Sequence, residues 1–292
     1  MYNHVPRLVR FEEVCAALAE GRDPRSALPE EVATVLRDAP TPRVLIDFAG
    51  RDSVAAAMAW MEAHEVGTLI PVGDVVPTRY GDWSVYEDNW RALRDQVATR
   101  FPRVVVAPWF VLEDVDAWRL LNGRYLNELV RSFGFFTPCL GCHLHFYAMR
   151  TVLAKALAVD ALVSGEKELH GRKRKSNQTQ EAVAAYRRFS EEHGVAHHFP
   201  IHQVTDEAEM GRLLGDGWRE GDRQLQCVMS GNDQGFDGNP VMSSSQIAAY
   251  MNDFALPLAA RIVVLRQQQL GGAELQREVD AEARRLLARR TA

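Results

Sequence analysis

The stretch Arg43-Val-Leu-Ile-Asp-Phe-Ala-Gly-Arg-Asp-Ser53, followed by apolar residues at helical spacing up to position 64, decides the fold of this chain. Residues 43–48 form a short apolar run with β-branched side chains, which is typical of a buried strand. Residues 49–52 form a glycine turn, and residues 53–64 have the pattern of a helix. The order strand, turn, helix predicts the first unit of an α/β fold.

The same alternation continues along the chain. Further strands are predicted at 68–72, 103–107, 161–164 and 196–201, and helices at 88–100, 115–132, 143–159 and 178–193. Parallel neighbours need long crossover connections, which these helices would supply. We therefore expect a Rossmann-like open parallel sheet of about five strands with helices on both faces.

Three segments are expected in the domain organisation. Residues 1–40 carry two short helical patterns and are predicted to be a helical N-terminal extension. Residues 41–240 form the α/β domain, and residues 241–292 are predicted to be a helical C-terminal extension.

The composition indicates a soluble globular protein. Of 292 residues, 47% are hydrophobic and 25% are charged. The net charge of −5 argues against a basic nucleic-acid-binding surface over the whole molecule, although a local patch is possible. We see no apolar run of about 18 residues and no signal-like segment, so we expect a cytoplasmic protein without a membrane partner. In that compartment four cysteines indicate metal or redox chemistry rather than disulfides.

The glycine turn is a candidate anion site. Open α/β sheets bind ligands beyond the carboxyl ends of their strands, where a helix start offers free N–H groups. Gly50 would let the backbone approach an anion, and Arg51 or Ser53 could bind one of its oxygens. Asp52 could hold magnesium or cap the helix. An ordinary helix-capping turn is the alternative interpretation.

The cysteines form a second motif. Cys139-Leu-Gly-Cys142 lies at the entrance to a helix, where two thiolates can bind one metal centre, and Cys227 follows the last predicted strand. A zinc site, with His143 and His145 as further candidate ligands, and a redox dithiol remain as alternatives. Cys15 lies among apolar neighbours and is predicted to be a buried structural thiol.

The stretch Phe48-Ala49-Gly50-Arg51-Asp52-Ser53 resembles the S-G-G-x-D-S loop of the PP-loop ATP pyrophosphatase superfamily. Phe48 and Ala49 stand where that loop has its first serine and first glycine, and the last two matching residues are Asp52 and Ser53. The resemblance implies that residues 49–53 bind the pyrophosphate of ATP with Mg²⁺ while a substrate is adenylated. The candidate nucleotide-binding residues are Ala49, Gly50, Arg51, Asp52, Ser53, Val72, Ser164, Gly165, Arg172 and Lys175.

The order of glycine turn, C-x-x-C pair and single cysteine resembles the iron-sulfur branch of the PP-loop sulfurtransferases, which thiolate tRNA bases. In that branch three cysteines hold a 4Fe-4S cluster. The resemblance implies that Cys139, Cys142 and Cys227 are cluster ligands and, with Asp52, catalytic residues. Zn²⁺ is the alternative metal, and a persulfide and disulfide pair of Cys139 and Cys227 is the alternative sulfur chemistry.

A polar run follows the predicted strand at 161–164. Ser164-Gly165 forms a second small-residue turn, and the segment 167–178 is rich in cations. We expect Arg172, Lys173 and Lys175 to face the nucleotide or RNA, and a solvated basic loop is the alternative. The family's G-H-x-x-D-D sequence is not found here.

These observations lead to one expected function and several alternatives. We expect an ATP-dependent enzyme that adenylates a carbonyl oxygen, on a tRNA base or a small heterocycle, and replaces it with sulfur from sulfide or a carrier protein. A homodimer is a reasonable assembly for such a chain. The alternatives are an iron-sulfur desulfidase of thiolated bases, a zinc-containing PP-loop ligase and a non-catalytic nucleotide-binding regulator.

Overall fold

Within the part of the chain that the structure describes, seven strands form one central sheet in which every pairing is parallel. The computed structural model describes residues 5–171, 173–215, 218 and 224–291. In chain order the strands are β1 Leu8–Arg10, β2 Arg43–Asp47, β3 Thr68–Val75, β4 Arg79–Tyr80, β5 Val105–Val106, β6 Phe110–Glu113, β7 Ala161–Val163, β8 Leu169–His170, β9 Lys173–Arg174, β10 His197–His198 and β11 Gln226–Cys227. The sheet has the order β1-β6-β3-β2-β7-β10, with β5 also paired to β3. The expected open parallel sheet is confirmed, with two more strands than expected.

Helices cover both faces of this sheet. They are α1 Phe11–Ala19, α2 Glu30–Arg37, α3 Arg51–Ala63, α4 Ser84–Arg100, α5 Val115–Asn122, α6 Leu126–Phe133, α7 Pro138–Ala156, α8 Gln180–Glu192, α9 Glu207–Leu214, α10 Ser244–Tyr250, α11 Leu256–Gln267 and α12 Gly272–Thr291. Helices α3, α4 and α9 enclose one apolar core against the sheet. The other nine enclose the second core. The segment before position 40 is not only helical, because β1 pairs with β6 at the sheet edge.

Helices α10 and α11 are joined by a π-helical turn at 251–255 and form one continuous apolar segment. Residues Ser244–Gln267 reach the length of a membrane-spanning helix, with a mean hydropathy of 1.4, contrary to our expectation that no such run exists. However, 56% of the most apolar part is buried within the protein. The segment packs against α1, α7 and α8, as the core helix of a soluble α/β domain does.

Three local features position the candidate site. Helix α3 starts directly after the turn at the carboxyl end of β2, as predicted. Helix α7 begins at Pro138, earlier than predicted, because the Thr137 hydroxyl accepts a hydrogen bond of 3.2 Å from the Cys139 N–H and Pro138 suits the first helical position. Strand β11 pairs with β4, which places Cys227 opposite Arg79.

Candidate functional site

The three cysteines of the predicted cluster site line one pocket of about 80 Å³. Cys139 and Cys142 lie in the first turns of α7, and Cys227 reaches the same pocket because β11 pairs with β4. Its other walls are Val76, Thr78, Arg79, Trp118, Pro138, His143, Phe146 and Met229. The pocket therefore combines three thiols with aromatic rings and one guanidinium.

Two of the thiols accept N–H hydrogen bonds. Trp118 Nε1 donates to Cys142 Sγ at 3.1 Å, and Asn232 Nδ2 donates to Cys139 Sγ at 3.1 Å. Burial raises the pKa of Cys142 to about 12, whereas the Trp118 N–H and the charge of Arg79 act in the opposite direction. Burial also raises the pKa of Cys139. These donors would stabilise the two thiolates once a metal replaced their protons.

The three sulfurs line the same pocket, but they are not arranged around one metal position. Within residues 5–171, 173–215, 218 and 224–291, no group of three His, Cys, Asp or Glu side chains is arranged to hold one metal ion. His143 lines the cysteine pocket, but its ring nitrogens bond to Glu166 at 2.5 Å and Asn177 at 3.0 Å. His145 lies in a separate cavity beside Asp114, so it is not part of the cysteine pocket.

The glycine turn is closed by its own serine. The N–H groups of Ala49 and Gly50 each donate to Ser53 Oγ at 3.1 Å, and this hydroxyl donates to the Gly50 carbonyl oxygen at 2.7 Å. The helix-capping turn, which was the alternative interpretation of this segment, is therefore present. The two N–H groups that an anion would contact, those of Ala49 and Gly50, are bonded to this serine directly before α3.

Asp52, in the same turn, has a carboxyl oxygen that is buried and has no hydrogen-bond partner among the described atoms. Burial raises the pKa of Asp52, while the charges of His170, Lys175, Arg51 and Lys167 oppose that shift. Buried polar atoms are normally satisfied, so this oxygen has the capacity to contact a water molecule or an ion. The turn thus offers an oxygen suited to magnesium.

The second small-residue turn lies against the first. A Cβ placed on Gly165 would be 2.6 Å from the Asp52 carbonyl carbon and from the Ser53 nitrogen. Ser164 is buried, and its hydroxyl already forms a hydrogen bond of 2.9 Å with His197 Nε2 inside the protein. The carbonyl oxygen of Val72 is also occupied, because it accepts hydrogen bonds from the Phe48 N–H and from Arg150.

The basic run folds as the hairpin of β8 and β9 followed by a short helical turn at 176–178. Lys173 and Lys175 are exposed, and Lys175 is close enough to influence Asp52. Arg172, another predicted contact, lies outside the described residues. Lys167, which the sequence did not single out, is buried, and its Nζ donates to Glu207 Oε1 at 2.7 Å.

A buried polar network, which the sequence did not reveal, links the cysteine pocket to the two turns. Glu166 follows Gly165 and accepts hydrogen bonds from Tyr147, from Gln178 at 2.7 Å, and from His143 at 2.5 Å if that ring nitrogen carries its proton. Burial would raise the pKa of Glu166, but the charge of His143 and these hydrogen bonds lower it to about 2. His143 thus connects the cysteines to the two turns.

The same network continues through α7. The buried Arg150 pairs with Asp47 at 2.7 Å, at the end of β2, and with Asp74. Burial raises the pKa of Asp74 to about 7, against the charge of Arg150. His143, Tyr147 and Arg150 recur every three or four residues and so share one face of α7. This spacing is the feature of the sequence from which the buried network could have been predicted.

No family model matches the chain. Over 217 residues it is 28% identical to an uncharacterized protein of Methanocaldococcus jannaschii, in an alignment that covers 74% of this chain and 78% of that protein. The alignment extends over most of both chains.

The structure thus gathers two groups of predicted residues at the carboxyl edge of the sheet. One contains Cys139, Cys142 and Cys227. The other contains the turn 49–53 and Gly165, with Lys175 nearby. Cys15 is not part of either group: it is buried in α1, and burial raises its pKa to about 12, as expected of a structural thiol.

Proposed function

We propose that this protein is an ATP-dependent sulfurtransferase that adenylates a carbonyl oxygen of its substrate and replaces that oxygen with sulfur. The observation that supports it best is the connection between the pocket of three cysteines and the glycine turn, through His143, Glu166 and Gly165. Both groups lie at the carboxyl edge of a parallel sheet, where α/β proteins bind their ligands. Such an edge can hold the nucleotide and the sulfur source side by side.

Residues 49–53 would bind the pyrophosphate of ATP. The N–H groups of Ala49 and Gly50 precede α3, whose N-terminal dipole favours an anion. The buried oxygen of Asp52 suits Mg²⁺, which takes carboxylate ligands and would neutralise charge on the departing pyrophosphate. This arrangement supports adenylation rather than simple nucleotide storage.

The proposed reaction has two steps. The substrate carbonyl oxygen attacks the α-phosphorus, the bond to pyrophosphate breaks, and the ring N–H of the lactam loses its proton. Sulfide then bonds to the carbon, the carbon–oxygen bond breaks, AMP leaves, and a proton returns to the ring nitrogen. His143 is placed to hold this proton, because its Nδ1 lies 2.5 Å from the buried carboxylate of Glu166.

Cys139, Cys142 and Cys227 would hold a 4Fe-4S cluster, and Trp118 and Asn232 would stabilise charge on two of the sulfurs. Held by these three thiolates, such a cluster would supply the sulfide that replaces the oxygen. It would not require three sulfurs around one ion. The number and type of residues in the pocket fit this group.

The substrate would be a tRNA base or a small heterocycle. Exposed Lys173 and Lys175 lie near the loop at 231–240, where Phe236 is fully exposed. Cations beside an exposed aromatic ring are typical of surfaces that bind unpaired RNA bases. Sulfide or a carrier protein would be the sulfur donor, and we propose a cytoplasmic location and a homodimeric assembly.

Metal and sulfide analysis after purification without oxygen tests this proposal. We expect about four irons and four sulfides per chain in the wild type, a loss in Cys227→Ala, and wild-type content in the control Cys15→Ala. Formation of AMP and pyrophosphate from ATP should require the substrate. Zinc or no metal, unchanged in Cys227→Ala, would contradict the cluster and favour the ligase or the persulfide chemistry.

A further inference from the structure

Two cations of the nucleotide site hold a carboxylate of the protein itself. Lys167 Nζ donates to Glu207 Oε1 at 2.7 Å, and Arg51 Nη2 donates to Glu207 Oε2. The Lys167 and Arg51 side chains are 1% and 11% exposed, whereas the Glu207 side chain is 59% exposed. A solvent-exposed carboxylate therefore occupies a position between two nearly buried cations.

The surroundings of this contact are those of the proposed phosphate site. Arg51 is the first residue of α3, and Lys167 follows Gly165, whose backbone lies against Asp52 and Ser53. Arg51, Lys167, Lys175 and His170 all act on the carboxyl group of Asp52. A carboxylate and a phosphate offer the same anionic oxygen acceptors to arginine and lysine. The contact shows where a phosphate oxygen would find its donors.

The exposure of the three groups indicates which of them can leave. A buried lysine without a negatively charged partner strongly destabilises the folded protein. Lys167 therefore needs a negatively charged group beside it whether or not a ligand is present. Glu207 is the first residue of α9, which is capped by Asp206, so its side chain can rotate outward while the helix stays folded. The hydrogen bonds from Lys167 and Arg51 lower the pKa of Glu207, which keeps it ionised.

We propose that Arg51 and Lys167 form an anion subsite, that Glu207 occupies this subsite in the free protein, and that a phosphate group of ATP displaces it. This inference rests on the proposed function, and it adds the cations that bind the phosphate and the group that competes with it. Only the fraction of molecules with Glu207 displaced can bind, so the competition weakens the apparent affinity.

Titration calorimetry of the full chain with inorganic pyrophosphate and with Mg²⁺-ATP tests the competition. Glu207→Gln keeps the size of the side chain and removes its charge. The matched control is Glu209→Gln, on the same helix, whose carboxylate pairs instead with Arg212 at 2.8 Å. We expect Glu207→Gln to bind both ligands about three- to tenfold more tightly and Glu209→Gln to bind them as the wild type does.

A second pair of variants identifies the cation. Lys167→Met should weaken the binding of both ligands more than tenfold, and the double variant Lys167→Met/Glu207→Gln should lose the gain of Glu207→Gln. If Lys167→Met fails to fold, the comparison of Glu207→Gln with Glu209→Gln decides alone. Equal affinity in those two variants would overturn the inference and leave the nucleotide site standing. Failure of the wild type and of Glu207→Gln to bind either ligand would overturn both.

Discussion

Replacing Gly165 by alanine should separate the two turns of the candidate nucleotide site. The new Cβ would lie 2.6 Å from the Asp52 carbonyl carbon and the Ser53 nitrogen, and 2.7 Å from the Asp52 carbonyl oxygen. These are backbone atoms at the start of α3, so they cannot rotate away as the end of a side chain would. The turns must separate by roughly 0.8 Å to reach the 3.4 Å of ordinary contact.

The size of the effect follows from this displacement. Forcing an additional methyl group into a packed site costs about 1–3 kcal/mol of unfolding free energy. For a chain of this length each kcal/mol corresponds to roughly 2–4 °C, so the melting temperature should fall by about 2–12 °C. A displacement near 1 Å can reduce the function of a site by about 100-fold, and we expect ATP affinity to fall more than tenfold.

Thermal unfolding followed by circular dichroism and ATP titration measure the two effects. Gly211→Ala is the control, because Gly211 lies inside α9 and, outside that helix, no atom of the described residues lies within 4 Å of its Cβ. Removing a helical glycine should stabilise the protein by about 0.5–1 kcal/mol, the opposite sign. Wild-type melting and wild-type ATP affinity in Gly165→Ala would refute the close contact between the turns.

Three further changes have distinct expected results. Glu166→Gln should reduce the free energy of unfolding by on the order of 3 kcal/mol at pH 6. This difference should shrink as the pH falls from about 4.5 to 2, because a carboxylate with a pKa lowered to about 2 stabilises the fold only while it is ionised. Urea unfolding at several pH values measures the difference. Trp118→Phe removes the N–H donor to Cys142, so the metal-free variant should alkylate more slowly at Cys142 than the wild type does, with Cys15 as the reference thiol in mass spectrometry. Ser53→Ala should reduce the free energy of unfolding by about 1–2 kcal/mol and retain pyrophosphate affinity, because the two freed N–H groups can bind the anion; loss of affinity in calorimetry would show that the hydroxyl itself is a ligand.

The sequence predicted the central part of the fold because long buried elements leave clear patterns. The stretch 43–64 matches β2, the turn and α3 almost to the residue. The strands β1 and β6 escaped prediction because three or four residues cannot establish a period of two. Their positions depend on the pairing of β1 with β6 and of β6 with β3, which local sequence does not encode.

The candidate site could be predicted only in part, for a related reason. The C-x-x-C pair and the glycine turn are local, so their positions at helix starts follow from Pro138 and Gly50. The approach of Cys227 depends on the antiparallel pairing of β11 with β4, a contact between distant segments. Fourteen of the nineteen residues of α7 are buried. The helix therefore lacks the contrast between an apolar and a polar face from which the burial of Arg150 could be predicted.

The two departures from the resembled loop have a structural explanation. Phe48 is fully buried, packs edge-on against Tyr86 with ring centroids 5.8 Å apart, and donates its N–H to Val72, so this position belongs to the core. At the next position the N–H groups of Ala49 and Gly50 bond to Ser53. The departures therefore remove one hydroxyl and no backbone donor. A neutral hydrogen bond contributes about 0.5–1.5 kcal/mol and one to a charged acceptor about 1.5–3 kcal/mol, so exchanging the Ser53 hydroxyl for a phosphate oxygen is favourable at both N–H groups.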